Sequence, residues 1–141
     1  MEIRKKAYAL AEFYIGMEYD WGGQTHWSEK GVDCSGLVVN CYEEAVAGTP
    51  YVLPYSDAAV VNFLESYTVS VDTPERGDLV FMGKDSITHI AIVDKIEGGQ
   101  LYFIDAYDGN TSSFENGEVT YRSYDIGNDK IKSFGRHTLY R

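Results

Sequence analysis

Two cysteines and three histidines are the side chains of this sequence best suited to nucleophilic chemistry. Cys34 and Cys41 both lie in the stretch GVDCSGLVVNCYEEA, residues 31–45. On a helix their spacing is two turns along one face, roughly 10 Å, which is beyond the reach of a disulfide bond. The sequence has no C-x-x-C pair and no tight His/Cys cluster, so the pattern does not indicate a structural zinc site. The two cysteines are therefore expected to have separate roles.

Cys34 stands where an apolar helix is predicted to begin. The run from Cys34 to Ala47 is apolar with few breaks, and Gly48-Thr49-Pro50 ends it. Unpaired backbone N–H groups and the helix dipole stabilise an anion at a first helical turn, which favours a thiolate there. Cys34 is thus a candidate nucleophile, although a small core residue is the other interpretation. Cys41, two turns deeper, is predicted to be core packing.

A thiolate enzyme needs a base that takes and returns the proton, and the candidates are His26, His89 and His137. His89 begins the alternating run HIAIV, which places its ring on one face of a strand beside small or branched residues. His26 lies in an irregular Gly-rich loop before Cys34 and could line a pocket. His137 follows Arg136 in the last predicted strand and is interpreted as a surface residue. His89 is therefore the expected base.

The ring of His89 needs a polar partner on its far nitrogen, and the next strand offers Asp105 and Asp108. A two-residue turn at Gly98-Gly99 gives a register in which His89 opposes Asp108. Pairing with Asp105 requires an odd-length loop or a bulge, because a one-residue shift moves every side chain to the other face. Yet an unpaired carboxylate in the apolar run YFIDAY would be costly, whereas Asp108 lies in an ordinary turn sequence. Both alternatives stay open.

The elements that must position these residues fall into a helical half and a β-rich half. An amphipathic helix is predicted over residues 2–15 before Gly16, a buried helix from Cys34, and a short helix from Ser56. Five β-rich runs follow, at residues 78–82, 88–96, 100–107, 118–125 and 134–141. Helices followed by an antiparallel sheet indicate an α+β fold, and a length of 141 residues fits one domain, residues 1–141.

Charge and hydropathy exclude some partners. Twelve Lys+Arg against 22 Asp+Glu give a net charge of −10, which repels phosphate backbones and anionic lipid surfaces. We therefore expect no nucleic acid partner and no membrane partner. No run approaches the roughly 18 apolar residues that span a bilayer, and Glu12 interrupts any apolar signal core, so no export signal is predicted. Nothing in the sequence indicates an oligomer, and a monomer is the default expectation.

Six short motifs carry a resemblance over most of the chain. They are YDWGG at residues 19–23, DCSGL at 33–37, LPYSDAA at 53–59, PERGDLVF at 74–81, THIAIV at 88–93 and IDA at 104–106. In this order they resemble the NlpC family of papain-like cysteine peptidases, the cell-wall endopeptidases of bacteria and their phages. The resemblance implies a catalytic Cys34 at a helix start, His89 on a hairpin, and a polar third residue before an alanine. Asp105 takes that third place, where the family more often has histidine.

The resemblance also implies several residues around the nucleophile. Tyr19 resembles a family tyrosine whose hydroxyl helps to bind substrate or the oxyanion, since a phenol can donate to developing negative charge. Asp33 resembles a residue that receives the free amine of a stem peptide, although it also suits a helix cap. Ser35 would add a donor at the helix start, and Trp21 would wall the cleft or pack in the core.

The implied activity is hydrolysis of an amide in a peptidoglycan stem peptide through a thioester, most often between D-glutamate and diaminopimelate or lysine. This chemistry requires no metal and no cofactor. Related papain-like domains act instead as amidases on the sugar–peptide bond or as acyltransferases, and an inactive wall-binding domain is a further alternative. With no predicted export signal, the settings that stay open are the cytoplasm, a phage tail or lysis system, and a specialised secretion route.

Overall fold

The computed structural model describes residues 2–18, 33–109 and 117–141. In these ranges the helices are α1 (Ile3–Tyr14), α2 (Cys34–Val46) and the short α3 (Val60–Asn62), which continues as a π-helical turn (Phe63–Tyr67). The strands are β1 (Thr68–Val71), β2 (Leu79–Met82), β3 (His89–Glu97), β4 (Gln100–Tyr107), β5 (Glu118–Asp125) and β6 (Ile131–His137). Helices followed by a sheet confirm the predicted α+β fold.

The six strands form one sheet in the order β1-β6-β2-β3-β4-β5, and each neighbouring pair is antiparallel. The predicted hairpin is β3–β4, whose turn glycines Gly98 and Gly99 have φ angles of 59° and 76°. Two positive φ angles are what a tight hairpin turn requires, and glycine adopts them without steric cost. Strand β1 was not predicted, because its four residues TVSV are short and lie at a sheet edge beside β6.

The helices α1 and α2 pack on one face of the sheet. Ile3, Ala7, Ala11 and Tyr14 of α1 are buried at the helical spacing that the sequence predicted. Their core cluster includes most of α2 and the inward residues of β3 and β4, among them Ile90, Ile92 and Ile104. The opposite face carries a second buried cluster, which consists of Val80, Met82, Ala91, Val93, Leu101 and Phe103. Strand β3 is therefore buried on both faces in its first half, which explains its unbroken apolar run.

The third helix begins later than expected. Its first residue is Val60, and the preceding Ala59 N–H donates to the Asn62 side chain at 2.8 Å. The prediction that Ser56 starts this helix was wrong, because the cap is made by an asparagine reaching back from within the first turn.

His137 is not a surface residue, so that interpretation was also wrong. Strand β6 lies between β1 and β2, and the ring of His137 is fully buried and stacks on Tyr42 with centroids 4.3 Å apart. Its Nε2 lies 2.6 Å from the Tyr55 hydroxyl, and its Nδ1 lies 2.7 Å from the Thr138 carbonyl. Burial lowers the pKa of His137 to about 4. The ring is therefore neutral at physiological pH and has a structural role.

Candidate active site

Cys34 is the first residue of α2, and the helix start is capped by the residue before it. The Asp33 carboxylate accepts the Gly36 N–H at 2.7 Å and the Ser35 hydroxyl at 3.4 Å. This capping fixes the first turn and holds the partly buried thiol of Cys34 at the positive end of the helix dipole. Cys41 is fully buried in the core, as predicted, and burial raises the pKa of its thiol.

His89 connects Cys34 to Asp105. The His89 Nε2 atom lies 2.7 Å from Asp105 Oδ2. Cys34 is close enough to the ring to raise the pKa of His89. The His89 side chain is 22% exposed, whereas Asp105 is fully buried. A thiol from α2, an imidazole from β3 and a carboxylate from β4 therefore interact with one another, and the imidazole and the carboxylate are hydrogen-bonded.

The electrostatics of these three side chains favour a charged imidazole. Burial of His89 opposes its protonation, but the hydrogen bonds and negative charge of Asp105 and Cys34 outweigh burial and raise the pKa to about 9. Burial likewise opposes the ionisation of Asp105, but His89 and Arg122 outweigh it and hold the pKa of that carboxyl below its ordinary value. At neutral pH the arrangement thus provides an imidazolium and a carboxylate.

A β-bulge decides which aspartate meets His89. Next to the turn, β3 and β4 pair in the predicted register, but the register shifts by one residue at Asp94. The pairs on either side of the bulge are Lys95 with Tyr102 and Val93 with Phe103. Such a shift moves every following side chain to the other face of the partner strand, which brings Asp105 onto the face of His89. The structure therefore resolves the open alternative in favour of contact with Asp105 rather than Asp108.

The bulged residue is held by polar contacts from two other segments. The Asp94 carboxylate accepts the Arg76 Nε–H at 2.8 Å and the Tyr121 hydroxyl at 2.5 Å. Asp94 is only 7% exposed, so these partners offset the cost of burying its charge. These contacts stabilise the β-bulge at Asp94, and with it the shifted register of β3 and β4.

Arg122 and Thr120 of β5 complete the surroundings of Asp105, and the sequence reasoning missed both. Arg122 donates from Nη2 to Oδ2 at 2.7 Å and from Nε to Oδ1 at 3.1 Å, and Thr120 donates to Oδ1 at 2.8 Å. Alternation in the run EVTYRSYD places both residues on one face of β5. That alternation, beside a buried aspartate in need of a cation, was the signal that could have found them.

Three expected site residues, Tyr19, Trp21 and His26, lie outside the described residues. Their roles stay predictions. Within residues 2–18, 33–109 and 117–141, no group of three or more His, Cys, Asp or Glu side chains is placed to hold a metal ion. No helix in those ranges is long and apolar enough to cross a membrane.

Comparison with protein families identifies the class of domain to which this α+β fold belongs. Residues 16–127 match the model of the NlpC/P60 family. This match covers most of the chain, so the chain belongs to the NlpC/P60 family. It is also 33% identical over 79 residues to dipeptidyl-peptidase 6 of Lysinibacillus sphaericus, a region that is 56% of this chain and 26% of the relative. The similarity thus spans about a quarter of that relative's length.

Solved structures with the same fold have low sequence identity to this chain. The P60 domain of antigen MAP1204 from M. avium subspecies paratuberculosis superposes with a TM-score of 0.62 at 20% identity, covering 99% of this chain and 96% of that one. RipD of Mycobacterium tuberculosis, a non-catalytic NlpC/p60 domain protein adapted to peptidoglycan binding, gives a TM-score of 0.60 at 17% identity, covering 99% of each chain. These structures support the α+β fold of P60 domains.

Proposed function

We propose that this chain is a cysteine peptidase that hydrolyses amide bonds in peptidoglycan stem peptides. Cys34 is the nucleophile, His89 the general base and acid, and Asp105 the group that orients His89. The observation that carries the proposal is the ring of His89, which is hydrogen-bonded to the buried Asp105 and interacts with Cys34 closely enough for the thiol to raise its pKa. Membership of the NlpC/P60 family supports the same reaction class.

The acylation step begins with the proton of Cys34 on His89. The thiolate attacks the amide carbonyl carbon, a C–S bond forms, and the carbonyl oxygen becomes an oxyanion. The backbone N–H at the start of α2 and the Tyr19 hydroxyl stabilise that oxyanion. The His89 imidazolium then gives its proton to the amide nitrogen, the C–N bond breaks, and the amine leaves. A thioester on Cys34 results.

Deacylation repeats these steps with water as the nucleophile. His89 takes a proton from water as the oxygen attacks the thioester carbon. The C–S bond then breaks, which releases the carboxylic acid and restores the sulfur of Cys34. Asp105 keeps the imidazole in one orientation throughout and stabilises its positive charge, so the ring needs no reorientation between the two half-reactions.

The proposed substrate is the bond between D-glutamate and diaminopimelate or lysine in a short stem peptide. Asp33 lies directly before the nucleophile at the helix start, where a carboxylate can pair with the free amine of a peptide. The similarity to dipeptidyl-peptidase 6 is consistent with an enzyme that releases a short amino-terminal fragment. Trp21, His26 and Ser35 are further proposed substrate contacts.

The products formed from purified sacculi and from free stem peptides test this function. Mass spectrometry should detect a dipeptide fragment with the wild type, no fragment with Cys34→Ala, and the fragment again with Cys41→Ala. Cys41→Ala is the matched control, since it removes the other thiol of the same helix. Whole stems freed from the sugar would instead show an amidase, and acyl transfer to an added amine an acyltransferase. Binding to sacculi without any product would show a wall-binding domain and contradict the proposal.

A further inference from the structure

Arg122 is fixed beside Asp105 by charge and by aromatic packing. Its guanidinium donates to both carboxylate oxygens of Asp105, and its central carbon lies 4.3 Å from the centroid of the Tyr107 ring. The rings of Phe103 and Tyr124 lie at 5.3 and 5.1 Å, and the Tyr124 hydroxyl accepts from Nη1 at 3.1 Å. A planar guanidinium held in this way presents a fork that matches a carboxylate in one orientation.

One oxygen of the Asp105 carboxylate contacts both His89 and Arg122. Asp105 Oδ2 lies 2.7 Å from His89 Nε2 and 2.7 Å from Arg122 Nη2. Oδ1 is held by Arg122 Nε and by the Thr120 hydroxyl, so the carboxylate has partners on both oxygens and cannot rotate without losing them. Arg122 also offsets part of the cost of burying this carboxylate, because burial disfavours its charge.

We propose that Arg122 is a positioning residue for the hydrolysis proposed above, which fixes the orientation of the Asp105 carboxylate and holds its Oδ2 toward His89. The contacts of Arg122 are with Asp105 and the surrounding aromatic rings, so it acts through Asp105. Lysine could supply the charge but not the bidentate fork. The inference rests on the proposed function for its kinetic consequences, whereas its effect on His89 is measurable without any substrate.

The direction in which loss of Arg122 shifts the pH profile follows from the charges around the His89–Asp105 pair. Among the described residues, the titratable groups around the His89–Asp105 pair are Cys34 from α2, Arg122 from β5 and, against the guanidinium, Tyr107 and Tyr124. Arg122 is the permanent cation of this set. Its removal makes every nearby protonation easier, because one positive charge no longer opposes the incoming proton. Both limbs of the pH profile should therefore move to higher pH in a neutral variant.

Arg136 provides a matched control. It donates from Nε and Nη2 to the two oxygens of Asp78 at 3.0 and 2.9 Å, and Asp78 is also fully buried. The two arginines are similarly exposed, 25% for Arg122 and 29% for Arg136. Arg136→Gln thus removes the same kind of ion pair from β6, outside the proposed machinery. It should lower stability and leave the pH profile unchanged.

The experiment compares wild type, Arg122→Gln, Arg122→Lys and Arg136→Gln by the pH profile of kcat/KM and by NMR titration of the His89 ring. For Arg122→Gln we expect kcat lowered on the order of tenfold, the loss typical of a supporting partner. Both limbs and the His89 titration should move up by about one pH unit. Arg122→Lys should keep the wild-type limbs and lower kcat at an unchanged KM, because the charge stays and the fork is lost.

The inference would be overturned if Arg122→Gln and Arg136→Gln gave the same pH profile of kcat/KM and the same His89 titration. If Arg122→Gln does not fold, as judged by far-UV circular dichroism, Arg122→Lys carries the test, and a wild-type kcat for that variant would be contradictory. If wild type releases no peptide product, the proposed hydrolysis fails, while the His89 titration still decides the role of Arg122.

Discussion

Stability should fall as the pH rises through the titration of His89. The folded-state pKa of His89 is raised to about 9 from 6.5, so the folded protein keeps a proton that the unfolded chain releases. The associated stability is fully present below pH 6.5 and is lost as the pH rises through 9. At 1.36 kcal/mol per pKa unit, the loss amounts to about 3 kcal/mol. That is a large fraction of the stability of an ordinary domain.

Urea unfolding followed by far-UV circular dichroism, in steps from about pH 6 to about pH 9.5, measures this loss. The comparison is with Asp105→Asn, which lacks the first of the contacts that raise the pKa of His89. The variant will be less stable throughout, because Arg122 loses its buried partner, so the slope against pH is the decisive quantity. Groups that titrate equally in both proteins cancel. Parallel slopes for the two proteins would refute the reasoning.

Three further outcomes are expected. At neutral pH, iodoacetamide should modify Cys34 before the fully buried Cys41, and peptide mapping that finds Cys41 modified first would contradict the site. Asp33→Ala should cost about 1 kcal/mol in urea unfolding through the lost cap, and Asp33→Asn, an equally good cap, should cost far less while raising KM for peptides with a free amine. The pKa of His137, lowered to about 4, makes the wild type lose stability as the pH falls below 6.5, so His137→Gln should show a shallower acid decline. If His137→Gln lost stability with falling pH as steeply as the wild type, His137 would not be a cause of the acid decline.

Local sequence pattern predicted the elements that hold the site. Helical spacing predicted α1 and α2, β-rich runs predicted five of the strands, and the capping position of Asp33 was correctly taken as a helix start. These features depend on neighbours within a few positions along the chain, which is why a sequence shows them.

Features that depend on pairing between strands were harder to predict. The bulge at Asp94 is held by Arg76 and Tyr121, which lie far from it in sequence, so the alternation of β3 alone gave no sign of it. The burial of His137 likewise follows from the insertion of β6 between β1 and β2, which no local pattern encodes. Register and strand order are tertiary properties, and they decided which acid meets His89.

The most direct test of the central claim is the covalent intermediate itself. Wild-type protein mixed with excess stem peptide, quenched in acid within one turnover and digested, should carry the acyl fragment of the substrate on the peptide that contains Cys34. The mass gained should equal that of the acid fragment released on hydrolysis minus that of a water molecule, because hydrolysis adds water to the acyl group. The adduct should be absent from Cys34→Ala. A fragment attached to another residue, or hydrolysis by Cys34→Ala at the wild-type rate, would contradict the account.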